Sequence, residues 1–127
     1  MTVPKTPVIG AHIHAPATKR ENAVIVVDFA EFGSIDSPII GSTTIDNVLM
    51  NYIIEGLSYV NIHSVEFPAG EFRGQIEIDE VDGNVTKFKV NLNSGNEVPP
   101  SGTNASGKGR LELNLENGLL VWNIDYG

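Results

Sequence analysis

The chain carries three histidines, and all of them stand in strand-like stretches: His12 and His14 in "IGAHIHAPA", and His63 in "YVNIHS". In an extended strand, residues two apart project from one face with Cβ atoms about 6.5–7 Å apart. Two imidazoles at that spacing can converge on one ion, and a third from a neighbouring strand completes a facial set. Three imidazoles suit copper or zinc, with water or a carboxylate in the remaining position. The competing reading is bland. A His-x-His pair on a strand face is often two polar side chains, or two hydrogen-bonded residues of the architecture, and binds nothing.

A second polar constellation lies in "PAGEFRGQIEI", where Glu71, Arg73 and Gln75 share one strand face between Gly70 and Gly74. Such a row is usually a solvated ladder. The sharper expectation is a partly buried Arg73 that pins a loop through carboxylate or carbonyl oxygens. Glu97, held on the stiff turn of "NEVPP", is its candidate partner, and Asn61, on the same face as His63, joins the cluster. These five residues read as structural rather than catalytic. No serine sits in an elbow motif, no glycine-rich phosphate loop precedes a helix, and no carboxylate pair is discernible. Catalytic residues are therefore not assigned.

The elements that must position these groups are mostly strands. Ile9, Ala11 and Ile13 oppose His12 and His14. Val60 and Ile62 oppose Tyr59, Asn61 and His63. Phe72, Ile76 and Ile78 alternate with polar residues, as do Phe88, Val90 and Leu92, then Leu111, Leu113 and Leu115, and finally Leu120, Trp122 and Ile124. "NAVIVVDFAEF" reads as a strand buried on both faces, "GSIDSPIIGST" as a loop with at most a short strand, and "DEVDGNVT" as a turn or linker. One segment changes period: Ile45, Val48, Leu49, Tyr52 and Ile53 predict a short helix over about residues 44–55, with Thr44 as N-cap and Gly56 as stop. The expected fold is all-β: an antiparallel Greek-key-type β-sandwich or flattened barrel of about seven to eight strands with one short helix.

Composition narrows the setting. The 127 residues fit one domain with a real core, and a net charge of −8 repels phosphate backbones, which argues against nucleic acid. The few basic residues are scattered along the chain, so polyanion binding is not expected either. No apolar run is long enough for membrane insertion, and "MTVPKTPVIG" does not read as a secretion leader. With no cysteine, disulfides and thiolate metal sites are excluded.

Taken together, "AHIHAPA", "YVNIHS…PAGEFRGQ" and "NLNSGNEVPPSGTNASGKGRLEL" resemble the CHRD domain, the module repeated in chordin. The order differs from the family pattern. Residues 9–78 resemble the family's second half and residues 87–126 its first half, within a single domain over 1–127. This points either to a circular permutation or to a window cut across tandem repeats. Ala15, where the family usually has Gly, and "ATKRENA", without the usual glycine-rich turn, are departures beside the histidines.

The resemblance implies an extracellular or cell-surface module whose partner is an extracellular protein or a neighbouring repeat. A half exchanged between two chains would give a domain-swapped dimer. The His-x-His strand also resembles the copper-ligand strand of copper-zinc superoxide dismutases, which use more histidines than this chain has. Three functions stay open: a non-enzymatic interaction or structural module with one histidine-bound copper or zinc ion, a mononuclear copper redox protein, and a protein-binding module whose histidines are structural.

Overall fold

The computed structural model describes residues 7–126. Among these residues nine strands form one antiparallel sheet: β1 (Val8–His14), β2 (Ile25–Asp28), β3 (Ile39–Thr44), β4 (Tyr59–Ser64), β5 (Phe72–Gln75), β6 (Glu77–Asp82), β7 (Val85–Asn93), β8 (Ser106–Asn114) and β9 (Leu119–Asp125). Their spatial order is β2-β1-β4-β5-β7-β8-β9-β3, with β6 paired to β7 beside that path. The sheet is curled as a half-barrel around one core, which also takes in Ile53 from the α-helix. The chain crosses from β2 at one end to β3 at the other, then returns through α1 (Asn47–Ile54) to place β4 beside β1.

Alternation places the core. Ala11 and Ile13, Val60 and Ile62, Phe72, Phe88 and Val90, Leu111 and Leu113, and Leu120, Trp122 and Ile124 all turn inward and join one buried cluster. Fully burying a large apolar side chain of this kind contributes about 1.5–3 kcal/mol.

Several elements differ from expectation. "NAVIVVDFAEF" is not buried on both faces: β2 is an edge strand, with Val24 72% and Ile25 50% exposed, and only Val27 and Phe29 enter the core. A continuous apolar run has no alternation to tell an edge from a centre. "GSIDSPIIGST" contains a six-residue strand, β3, paired to β9 from Ile39–Ile124 to Thr44–Leu119. Its glycine is not a turn signal. A Cβ at Gly41 would stand 2.8 Å from Trp122 Cζ2, so the missing side chain admits the indole. In "DEVDGNVT" the expected turn is present but confined to Gly83 (φ 60°) and Asn84, and its flanks are strands that pair Asp82 with Val85 as a hairpin. The stretch from Phe72 to Ile78 is two strands, β5 and β6, that meet β7 separately. The helix is capped by Asp46, whose carboxylate accepts from Leu49 N–H at 2.9 Å, rather than by Thr44, which ends β3.

Candidate metal centre

Register assembles the site. Across β1 and β4, Gly10 faces His63, His12 faces Asn61 and His14 faces Tyr59. Across β4 and β5, Asn61 faces Arg73 and Tyr59 faces Gln75. The polar rows of three adjacent strands thus form one patch on the sheet face opposite the core, and β4 is buried throughout.

Loops cover that patch, and Arg73 holds the first of them. Its guanidinium donates to Asn22 Oδ1 (2.9 Å) and to the carbonyls of Thr18, Lys19 and Glu21, the last at 2.7 Å, while stacking 3.7 Å above the Tyr59 ring. Gln75 donates to the carbonyls of Ala17 and Gly56. Glu71 accepts from Ser64 Oγ at 2.7 Å. Glu97 comes from the loop after β7 and accepts from Asn61 Nδ2 at 2.7 Å. Arg73 contributes electrostatically to Glu97 but spends its donors on carbonyls. The result is a second, polar interior beneath the 15–24 loop, the 65–71 turn and the 94–105 loop.

At its edge the three histidines meet. One ring nitrogen from each of His12, His14 and His63 lies within 4.8 Å of the others. At metal–nitrogen distances of about 2.0–2.1 Å, two ligating nitrogens stand at most about 4.1 Å apart. Closing on an ion therefore takes a shift of about an ångström in one side chain.

The hydrogen bonds select the donor atoms. His14 Nδ1 is 2.9 Å from Ala23 O and His63 Nδ1 is 2.9 Å from Pro68 O, so each Nδ1 carries the proton and each Nε2 offers a lone pair. Metal-bound imidazoles are commonly oriented this way. His12 Nδ1 lies 2.9 Å from His63 Nε2, and its Nε2 lies 3.8 Å from Asp28 Oδ1. An ion on His12 Nδ1 leaves Nε2–H to face Asp28. Without an ion, a neutral His12 that donates from Nδ1 turns a bare Nε2 lone pair toward the same carboxylate.

Burial keeps these rings neutral. Desolvation, helped by His63 and His14 and opposed by Asp28, lowers the His12 pKa to about 4. Desolvation also lowers His14 and His63, against the backbone carbonyls that favour their charged forms. The opposite shift occurs at Glu97, where burial raises the pKa to about 7 despite Arg73 and Asn61. Tyr59 stacks on His14 with ring centroids 4.8 Å apart. Beside them opens a cleft of about 480 Å³ bounded by Tyr59, Asn61, Phe67, Glu97 and Pro99.

The model of the CHRD domain family matches residues 1–76, more than half of the chain, including all three histidines. The chain belongs to the CHRD domain family. Neither a curated protein nor a solved structure matches it. The matched stretch of this CHRD domain spans β1 to β5, and β7, β8 and β9 continue the same sheet beyond it.

Reading the motifs left out four contributors to the histidine cluster: Asp28, Gly10, and the carbonyls of Ala23 and Pro68. The first depends on the pairing of His12 with Asp28 across β1 and β2. That pairing includes a register shift between Ile13 and His14, which strand alternation does not encode.

Proposed function

We propose that this CHRD domain is an extracellular, non-enzymatic β-sandwich-like module that holds one copper or zinc ion through His12, His14 and His63. Family membership supports the extracellular setting, in which the module meets a protein partner or a neighbouring repeat. The permuted order of its motifs fits either a circularly permuted domain or a unit of a tandem array.

One observation carries the metal reading: three imidazole nitrogens converge within 4.8 Å, with two rings oriented by backbone carbonyls that hold the proton on Nδ1 and leave Nε2 as an acceptor. The 2.9 Å contact between His12 Nδ1 and His63 Nε2 favours the alternative of purely structural histidines. Against it stands His14 Nε2, buried and making no hydrogen bond while the ring is neutral, since Asn61 favours only its charged form, a costly arrangement for a structural residue.

The test is titration of metal-stripped protein with copper and zinc, beside a His12→Ala, His14→Ala variant. One tight equivalent for the native chain and none for the variant supports the reading. No binding by either, with both folded, replaces it with the structural one. Superoxide or oxygen turnover by the copper-loaded protein replaces it with the redox one.

A further inference from the structure

We infer that Asn61 Oδ1 is the fourth protein ligand of the metal held by His12, His14 and His63, and that Glu97 is the positioning residue that aims it. The inference rests on the histidine reading above and completes its ligand set.

Register puts Asn61 inside the histidine cluster. It faces His12 directly across β1 and β4, neighbours His14 on the diagonal, and lies two residues from His63 on the same strand face. It is 3% exposed. With Glu97 ionised, Nδ2 donates to Glu97 Oε2 at 2.7 Å and Oδ1 points away from the carboxylate.

That oxygen is buried and makes no hydrogen bond in the structure, yet Asn61 stands close enough to His14 to favour that ring's charged form. Among the described residues, His14 Nε2 and Gln75 Oε1 share this condition on the same patch, and His14 is the one of the two in the histidine cluster. While His14 is neutral, with its proton on Nδ1 toward Ala23 O, both atoms are acceptors; only the charged ring, which Asn61 favours and burial opposes, would join them. Leaving a buried acceptor unpaired costs about 1–3 kcal/mol. A cation between them and the other two rings satisfies all four lone pairs together.

Glu97 completes the device. Gly70 (φ 128°) lets the carboxylate and amide approach, since a Cβ there would stand 2.6 Å from Asn61 Nδ2 and 2.9 Å from both Glu97 oxygens. Three nitrogens and one amide oxygen suit zinc(II) or copper(II) better than copper(I), which prefers softer donors. Asn61 thus sets metal preference as well as affinity.

The experiment measures zinc(II) and copper(I) affinities by chelator competition and records copper(II) electron paramagnetic resonance for native protein, Asn61→Leu, Asn61→Asp and Glu97→Val. Asn61→Leu is expected to lose about 10–100-fold in zinc affinity while copper(I) affinity moves by less than about threefold. Asn61→Asp keeps zinc binding and shifts the copper(II) spectrum. Glu97→Val, which frees the amide, weakens zinc binding to an intermediate degree. Should Asn61→Leu not fold, the other two variants carry the test.

An Asn61→Leu or Asn61→Asp protein with native zinc affinity and an unchanged spectrum overturns the assignment while leaving the histidine site intact. Failure of the native chain to bind any metal overturns both.

Discussion

Gly10 and His12 share a strand face, and the His12 ring lies where a Gly10 side chain would begin. A Cβ at Gly10 would stand 3.2 Å from His12 Cε1 and 3.4 Å from Nε2. The strand opposite places His63 in register with Gly10, so the glycine opens space for two histidine rings. Substitution must move the His12 ring by a few tenths of an ångström. Gly10→Ala is expected to change folding stability by less than about 1 kcal/mol and to weaken metal binding about 3–10-fold. Gly10→Val should weaken it further. Isothermal titration beside urea unfolding separates the two quantities.

Gly70 is constrained more severely. Its φ of 128° is one that side chains rarely adopt, and its missing Cβ is replaced by the Asn61–Glu97 pair. Gly70→Ala combines backbone strain with a clash against buried polar groups, and is expected to destabilise the domain by about 2–4 kcal/mol. Denaturant unfolding measures it. A loss below about 1 kcal/mol would mean that the 65–71 turn re-forms without holding the pair.

Arg73 ties a loop to the sheet, and that loop carries Ala23, whose carbonyl orients His14. Arg73→Lys keeps the charge but cannot reach Asn22 and three carbonyls from one planar group. A destabilisation of about 3 kcal/mol is expected, because buried acceptors lose their donor. Zinc affinity should fall with it, since the His14 ring loses its anchor. Equal affinity in a folded Arg73→Lys protein would separate the loop from the site.

The histidine face was legible because period two reports strand faces directly: His12 and His14 oppose Ala11 and Ile13 whatever the tertiary structure. The same alternation marks Tyr59, Asn61 and His63, and Arg73 with Gln75. Alternation does not say what covers a polar row. Here loops distant in sequence do, and Glu97 reaches Asn61 across 36 positions. The unbroken apolar run of β2 hid an edge strand, since hydrophobicity alone does not distinguish a strand buried in the sheet from one at its exposed edge. Gly41 hid β3 because a glycine that admits an indole and one that makes a turn look alike in a sequence.

Glu97 also makes the metal-free domain pH-sensitive in a defined window. Its folded pKa of about 7 lies above the ordinary 4.5, so the folded state binds the proton more tightly. The contribution is fully present below about pH 4.5 and is lost as pH rises through about 7. The three histidines act in the opposite sense, because their lowered pKa values make stability fall as pH drops below the ordinary histidine value of 6.5. Native stability alone therefore mixes two opposed slopes.

Glu97→Gln isolates one of them. It keeps an acceptor for Asn61 Nδ2 and cannot ionise. The difference in unfolding free energy, variant minus native, should grow in the variant's favour between about pH 4.5 and 7, by up to about 3 kcal/mol, and level off above. Urea unfolding at half-unit pH steps in the presence of chelator measures this difference. A flat difference would place the Glu97 proton at its ordinary value and the carboxylate in contact with water.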